Sequence, residues 1–144
     1  MDRRDGLRGV VTSSAEETFE CAQAFAKTLK VPAVICLFGD LGAGKTTFVK
    51  GLAAGIGAAS HSTVNSPTFQ YLNIYSGTVP LYHFDLYRLK STDDFVLLGF
   101  DEFFGQGIVC IEWAEKIKAI IPKNAIKITL SYEGEGRKIE IAIP

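Results

Sequence analysis

A glycine-rich stretch directly after a short apolar run constrains this chain more than any other feature. The segment LFGDLGAGKTTF, residues 37–48, contains three glycines, a lysine and two threonines. Glycine lets a backbone turn sharply and approach a ligand closely, and a lysine followed by a hydroxyl residue is what a polyphosphate and its magnesium ion require. The apolar run before the stretch and the helical pattern after it therefore predict a strand, a phosphate-binding loop and a helix.

Residues 39–46 satisfy the Walker A pattern G-x-x-x-x-G-K-[ST] in full. Backbone N–H groups of the loop and of the helix start would surround the phosphates. Lys45 would neutralise the β and γ oxygens, and the hydroxyl of Thr46 would bind magnesium. The residues predicted to contact ATP in this segment are Gly39, Asp40, Leu41, Gly42, Ala43, Gly44, Lys45, Thr46 and Thr47.

Two acidic residues are candidates to complete the metal shell, which in Walker A proteins lies at the end of a neighbouring strand. Asp85 follows an apolar run in YHFDLYRL, and Glu112 follows the apolar run GIVCI. Open α/β sheets bind ligands at the carboxyl ends of such strands. Either acid could instead be a solvated strand end, and the sequence leaves open which of them contacts the metal. His61 and His83 are assigned no catalytic role.

The order of apolar patterns predicts an α/β fold with a mixed sheet. A capping box from Ser13 to Glu16 opens the first helix, and a second capping pattern begins at Ser91. Helices are predicted in 12–30, 46–57 and 91–104, strands at 32–38, 68–75, 79–87 and 108–111, a loop over 58–67, and an antiparallel hairpin in 124–144. We expect a three-layer sandwich like that of P-loop NTPases, with a mainly parallel central sheet.

Length and charge limit the classes of function. A chain of 144 residues predicts one domain, over residues 1–144. The net charge of -1 gives no basic footprint, so we expect any contact with RNA to be indirect, through a partner. No apolar run approaches the roughly 20 residues that span a bilayer, and no signal core follows the start of the sequence. These features predict a cytoplasmic protein without membrane contact.

The three cysteines, Cys21, Cys36 and Cys110, are widely spaced among apolar neighbours. This spacing is typical of neither a disulfide framework nor a zinc site. Free cysteine behaves as a small apolar residue, so we expect three buried thiols.

Four segments together indicate which family of P-loop proteins the chain resembles. They are GDLGAGKTTF, VNSPTF, LYHFDLYRL and IEWAEKI, in this order and at these separations. In this combination the chain resembles the TsaE (YjeE) family, small bacterial P-loop ATPases required to make threonylcarbamoyladenosine in transfer RNA. Walker A alone is shared with many enzymes, whereas the HFDLYRL segment and the Glu-Trp pair are specific. The resemblance covers nearly the whole chain.

The resemblance implies roles for individual residues. Lys45 and Thr46 hold phosphate and magnesium, and Asp85 and Glu112 serve the metal and the attacking water. The segment 66–68 (Ser-Pro-Thr) belongs to a mobile part near the γ-phosphate, and Arg137 is a further candidate to reach the nucleotide. The implied partners are TsaD-like and TsaB-like proteins, and ATP turnover is expected to reset their assembly.

Two other classes of P-loop protein compete with this interpretation. A small kinase would pass the γ-phosphate to a metabolite, but such enzymes usually need several arginines around the acceptor. Outside the N-terminal arm this chain has only Arg88 and Arg137, and the sequence does not decide whether either reaches the nucleotide. A GTP switch is disfavoured because the chain contains no Asn-Lys-x-Asp motif for reading guanine.

Overall fold

A computed structural model describes residues 7–40, 42–58, 60–62 and 71–144. The strands are β1 (Leu7–Thr12), β2 (Ala33–Gly39), β3 (Ser60–Ser62), β4 (Leu72–Ser76), β5 (Leu81–Asp85), β6 (Ile108–Glu112), β7 (Ile126–Glu133) and β8 (Gly136–Ala142). The α-helices are α1 (Ala15–Ala26), α2 (Lys45–Gly55) and α3 (Thr92–Leu97), and 3-10 helices cover Phe100–Phe103 and Ala114–Ile120. None of these helices is long and apolar enough to span a membrane.

The strands form one sheet in the order β1-β8-β7-β2-β6-β5-β4-β3. Its four central strands, β7, β2, β6 and β5, pair in parallel. The strands on both sides of this centre pair antiparallel, including the predicted hairpin of β7 and β8. The predicted mixed sheet and C-terminal hairpin are confirmed, with the parallel pairing confined to the centre of the sheet.

Two apolar cores cover the two faces of the sheet. One core lies beneath α1 and α2 and takes Ile35 and Leu37 from β2. The other lies beneath α3 and the 3-10 helices, and takes Val34 and Cys36 from the opposite face of the same strand. A strand buried on both faces reads as a continuous apolar run, which is why β2 was predictable. The result is the expected three-layer sandwich.

The N-terminus of α1 carries a capping box, but one residue later than predicted. The Ser14 side chain accepts a hydrogen bond from the backbone N–H of Glu17 at 3.1 Å. The Glu17 carboxylate in turn accepts one from the N–H of Ser13 at 2.7 Å. The helix register follows the burial of Ala22 and Phe25 against α2, and this fixes which serine lies at the cap.

Three elements differ from the predictions. Strand β1 was not predicted, because it is an edge strand whose Val10 and Val11 are both exposed, so it lacks an apolar face. The short strand β3 lies within the predicted loop 58–67, where pairing with β4 orders it. The predicted helix 91–104 is broken at Gly99, whose φ of 78° ends α3 before a 3-10 turn.

The cysteine prediction holds for two of three residues. Cys36 and Cys110 are buried and Cys21 is partly buried, and all three are free thiols. Burial raises the pKa of Cys36 to about 11 and raises that of Cys110 well above its ordinary value. Both buried thiols are therefore uncharged and behave as apolar side chains.

The parallel register brings three strand ends together. Glu112 on β6 lies opposite Leu37 of β2 on one side and opposite Asp85 of β5 on the other. Because β2 ends two residues after Leu37, the glycine-rich loop begins beside both acids. The fold thus places the loop and the two acidic candidates at one edge of the sheet.

Candidate functional site

The loop between β2 and α2 gives the helix an open N-terminus. Gly44 is the N-cap residue with a φ of 98°, and within the described residues no side chain caps this end. Gly42 has a φ of 80°, and a Cβ there would lie 2.8 Å from the hydroxyl oxygen of Tyr132. Glycine is therefore required for this path. The backbone N–H groups of the first turn can donate hydrogen bonds to an anion on the solvent side, and the helix dipole favours a negative charge there.

The side chain of Lys45 lies across this loop. Its Nζ donates to the carbonyl oxygen of Gly39 at 2.8 Å and lies 3.3 Å from Oε1 of Glu112. The side chain is mostly buried, so neither contact is strongly screened by water. The lysine charge is thus already directed to the place where a phosphate on the loop would lie.

Glu112 is a buried carboxylate with two basic neighbours. It is 8% exposed, and its Oε2 lies 2.7 Å from Nε2 of His83. Burial raises the pKa of Glu112, but the hydrogen bond from His83 and the attraction of His83 and Lys45 outweigh it, so the pKa lies below its ordinary value. The side chain is therefore ionised at neutral pH.

Asp85 occupies the neighbouring strand end and is exposed. One of its carboxylate oxygens accepts a hydrogen bond from the backbone N–H of Tyr87 at 3.1 Å, which fixes the turn after β5. Asp85 and Glu112 are direct partners in the parallel register, so the structure brings the two acidic candidates together. The roles predicted for them remain predictions.

These residues surround a cleft of about 920 Å³. It is lined by Gly39, Asp40, Gly42, Gly44, Lys45, Thr46, Thr47, Tyr71, Asp85, Tyr87, Arg88, Glu112 and Trp113. Ala43 is buried beneath the loop. In the described part of the chain no group of three or more His, Cys, Asp or Glu side chains could hold a metal alone. A Mg²⁺ ion would need the hydroxyl of Thr46 and phosphate oxygens in addition to the two carboxylates, and all of these are oxygen ligands of the kind it prefers.

An aromatic pair forms the rim of the cleft next to Glu112. Trp113 adopts a φ of 62°, unusual for a residue other than glycine, and its ring packs edge-on against Tyr87 with centroids 5.1 Å apart. Both side chains remain substantially exposed. The left-handed backbone turns the chain sharply after β6, so that Glu112 and Trp113 both face the cleft.

Arg88 and Arg137, the two arginines for which the sequence does not decide whether they reach the nucleotide, lie in different places. Arg88 lines the main cleft. Arg137 donates to the carbonyl oxygen of Gly42 at 3.3 Å, and its guanidinium group lies 4.4 Å from the ring centre of Tyr132. Arg137 lines a separate cavity of about 200 Å³ that Thr47 also borders. It therefore contacts the backbone of the glycine-rich loop at Gly42 without lining the main cleft.

Comparison with known proteins identifies the chain's family. The family model for threonylcarbamoyl adenosine biosynthesis protein TsaE matches residues 12–139. The chain belongs to the TsaE family. Membership places this TsaE-family protein in the biosynthesis of threonylcarbamoyladenosine in transfer RNA, and it confirms the resemblance read from the sequence.

Individual relatives agree with this membership. The chain is 40% identical over 134 residues to the tRNA threonylcarbamoyladenosine biosynthesis protein TsaE of Treponema pallidum, covering 92% of this chain and 98% of that protein. It is 43% identical over 129 residues to the Bacillus subtilis protein of the same name, covering 88% and 79%. The crystal structure of Bacillus subtilis YdiB has the same fold, with a TM-score of 0.73, 33% identity and coverage of 96% and 86%.

Sequence reasoning missed His83 as part of this TsaE-family site. The available signal was the alternation of β5, since residues two apart on a strand point to the same face. His83 lies two residues before Asp85 and therefore shares the face of the sheet on which Glu112 lies. Two predicted features, Leu41 and the segment 66–68, lie outside the described residues.

Proposed function

We propose that this TsaE-family protein binds and hydrolyses ATP with Mg²⁺, as an accessory protein in the modification of transfer RNA in the cytoplasm. The observation that carries the proposal is the position of Lys45, between the glycine-rich loop and a buried carboxylate. An uncapped helix N-terminus, a lysine and a hydroxyl residue converge on one cleft. This is the set of groups that a Walker A loop uses for a triphosphate.

Binding would exchange the partners of Lys45. In the protein alone its ammonium group is paired with Glu112. The β and γ oxygens of ATP carry more negative charge than one carboxylate, so Lys45 would move its contact to them, while the loop N–H groups surround the same phosphates. A bound Mg²⁺ would neutralise charge on these phosphates. The oxygen atoms of Thr46, Asp85 and Glu112 would contact the ion either directly or through water molecules.

Hydrolysis would then depend on the released carboxylate. Once Lys45 contacts phosphate, Oε1 of Glu112 has no protein cation at hydrogen-bond distance among the described contacts. A carboxylate in that position can accept a hydrogen bond from a water molecule and orient it towards the γ-phosphate. Asp85, exposed at the adjacent strand end, is the second group available to the metal and its water ligands.

The proposed partners are TsaD-like and TsaB-like proteins, and contact with transfer RNA would occur only through their complex. The net charge of -1 supports an indirect role, because direct binding to an RNA backbone draws on clustered cations. The alternative activity is transfer of the γ-phosphate to a metabolite by a small kinase, for which the described cleft offers Arg88 as its one lining arginine.

Three measurements on the purified protein test the activity. Calorimetry with ATP and GTP in the presence of Mg²⁺ is expected to show preference for ATP, and phosphate release is expected without any acceptor. Asp85→Asn and Glu112→Gln should each slow single-turnover hydrolysis about a hundredfold, equivalent to about 3 kcal/mol of transition-state stabilisation, with little loss of binding. Wild-type rates in both variants would contradict the assignment, and turnover that requires an added metabolite would favour the kinase.

A further inference from the structure

The two carboxylate oxygens of Glu112 have different partners. Oε2 lies 2.7 Å from Nε2 of His83, and Oε1 lies 3.3 Å from Nζ of Lys45. Glu112 and His83 are both buried, so water competes little for the bond between them. The carboxylate is therefore held in one orientation, with Oε1 on the side of the phosphate loop and Oε2 on the side of β5.

Chemistry fixes the direction of the bond to His83. Glu112 is ionised, and an ionised carboxylate can only accept hydrogen bonds. Nε2 of His83 must therefore carry the hydrogen. The parallel pairing of β5 with β6 places His83 opposite Cys110, two register positions before the pair of Asp85 and Glu112. The ring is thus positioned by the centre of the sheet and not by the loop.

Nucleotide binding would affect the two contacts differently. Lys45 lines the cleft and would leave Glu112 for the phosphates. His83 is not among the residues that line the cleft, so a ligand there would not displace it. After binding, His83 would be the remaining protein partner of Glu112 among the described contacts.

We propose that His83 is a positioning residue for Glu112: its Nε2–H holds Oε2 and so keeps Oε1 directed at the reacting centre in the nucleotide-bound protein. This inference rests on the proposed ATP hydrolysis. Because His83 acts through Glu112 and does not contact the ligand, it should affect the rate of hydrolysis far more than the affinity for nucleotide.

Two variants separate the hydrogen bond from simple packing. His83→Phe keeps an aromatic ring but removes the donor, whereas His83→Gln places an amide N–H close to the position of Nε2. Tyr82→Phe is the matched control, since Tyr82 is the adjacent residue on β5 and packs in the opposite core, 4.6 Å from the ring of Phe103. Thermal unfolding of each variant checks that the fold is retained.

We expect His83→Phe to lower single-turnover ATP hydrolysis by about tenfold or more and to change the nucleotide Kd by less than about threefold, with most of the rate retained in His83→Gln. Tyr82→Phe should match the wild type. A wild-type rate in His83→Phe would show that the ring only fills space, and equal losses in His83→Phe and His83→Gln would show that the amide donor does not replace the ring N–H; either result would overturn the proposal. A wild type that hydrolyses no ATP would instead overturn the proposed function.

A second measurement needs no turnover and no change at His83. The chain has two histidines, so the ring ¹⁵N NMR signals of His83 can be assigned against a His61→Gln background. Without nucleotide and near neutral pH, we expect the wild-type ¹⁵N signals of His83 to be those of a ring that carries its hydrogen on Nε2 and donates it in a hydrogen bond. We expect these signals to change in Glu112→Gln. Identical ring signals in the two proteins would overturn the pairing, even if His83→Phe fails to fold.

Discussion

Lys45 is held by Gly39 and Glu112, so the proposed nucleotide binding would replace one anionic partner with another. At the scale of the residue, this exchange explains how a mostly buried lysine at the first position of α2 can still be available to a ligand. Its contacts are to a carbonyl oxygen and a carboxylate, and a triphosphate can replace the second of them.

The first residue-scale prediction concerns Lys45→Ala. The change removes a charged contact to phosphate but leaves Glu112 paired with His83, so the fold should be retained while affinity for ATP falls by about tenfold or more. Isothermal titration with ATP and Mg²⁺ measures the loss, and thermal unfolding checks the fold. Lys50→Ala, on the exposed side of the same helix, is the control. Equal affinity in the two variants would contradict a role for Lys45 in phosphate binding.

The second residue-scale prediction concerns acid stability. Because the folded-state pKa of Glu112 is lowered, its ionised form stabilises the fold fully above the unfolded-state pKa, and this contribution is lost as pH falls through the lower folded value. The gap in unfolding free energy between wild type and Glu112→Gln should therefore be largest above about pH 5 and shrink towards about pH 3. Denaturant unfolding across this range measures it. A difference in unfolding free energy that widens as pH falls would contradict the predicted direction of the pH dependence.

The residues of this site differ in how far the sequence could predict them. Lys45 and Thr46 follow from a local motif, because the chemistry of a phosphate loop is encoded in consecutive residues. The pairing of His83 with Glu112 depends instead on two strands that are separated by a helix in the sequence and become neighbours only in the sheet. The alternation of β5 indicates the face on which His83 lies, but it does not indicate that β6 is the neighbouring strand that supplies Glu112.

At the scale of elements, α2 packs against α1 through its small residues. A Cβ on Gly51 would overlap the carbonyl oxygen of Phe19 and lie 2.7 Å from the Cβ of Ala22. Gly55 meets the next turn of α1 in the same way, at Gln23 and Ala26. The close approach of the two helices fixes the position of α2, whose N-terminus follows the glycine-rich loop.

We therefore predict that Gly51→Ala destabilises the protein although alanine is the better helix former. The gain in helix propensity is about 1 kcal/mol, whereas forcing a methyl group into this contact costs about 1–3 kcal/mol, for a net loss of up to about 2 kcal/mol. Chemical denaturation gives the free energy of unfolding. Lys50→Ala should change it by less than about 0.5 kcal/mol. A Gly51→Ala protein more stable than the wild type would show that the helices are not in close contact.

Elements with strong apolar patterns were predictable from the sequence, whereas edge strands and short helices without such a pattern were not. Strand β2 and helix α2 follow directly from buried runs and helical spacing. Strand β1 is ordered by pairing with β8, and the 3-10 helix after Trp113 follows a left-handed residue that no sequence pattern indicates. These elements depend on distant partners or on backbone geometry, so the sequence alone does not reveal them.

At the scale of the whole molecule, the parallel centre of the sheet gathers the loop, both acids and an aromatic rim on one side. Arg88 also lies there, while Arg137 is engaged with the backbone carbonyl oxygens of Gly42 and Gly136. The charge that develops on a γ-phosphate would therefore depend on Lys45, the metal and whatever a partner contributes. Exposed Tyr87 and Trp113 at the rim leave this side accessible to a partner.

This arrangement predicts that the protein alone is a slow ATPase. An arginine supplied by a partner is worth about 10³–10⁵ in rate in related P-loop proteins, and closure of the cleft would exclude water from it. Phosphate release should be compared for the protein alone, with a TsaB-like protein, with a TsaD-like protein and with both together. We expect a large increase only in the complete mixture. Fast turnover alone that the partners leave unchanged would contradict partner dependence.

The pairing of β1 with β8 has a consequence for synthesis of the chain on the ribosome. β1 is the first described strand to emerge, yet its strand neighbour in the sheet is β8, the last of the eight. Contacts across such long separations form late, after the intervening chain is available. Strand β8 also carries Arg137, whose side chain donates a hydrogen bond to the glycine-rich loop at the carbonyl oxygen of Gly42. A nascent chain can therefore form this contact to its glycine-rich loop only when the eighth strand has been translated, and a product interrupted before β8 would lack it.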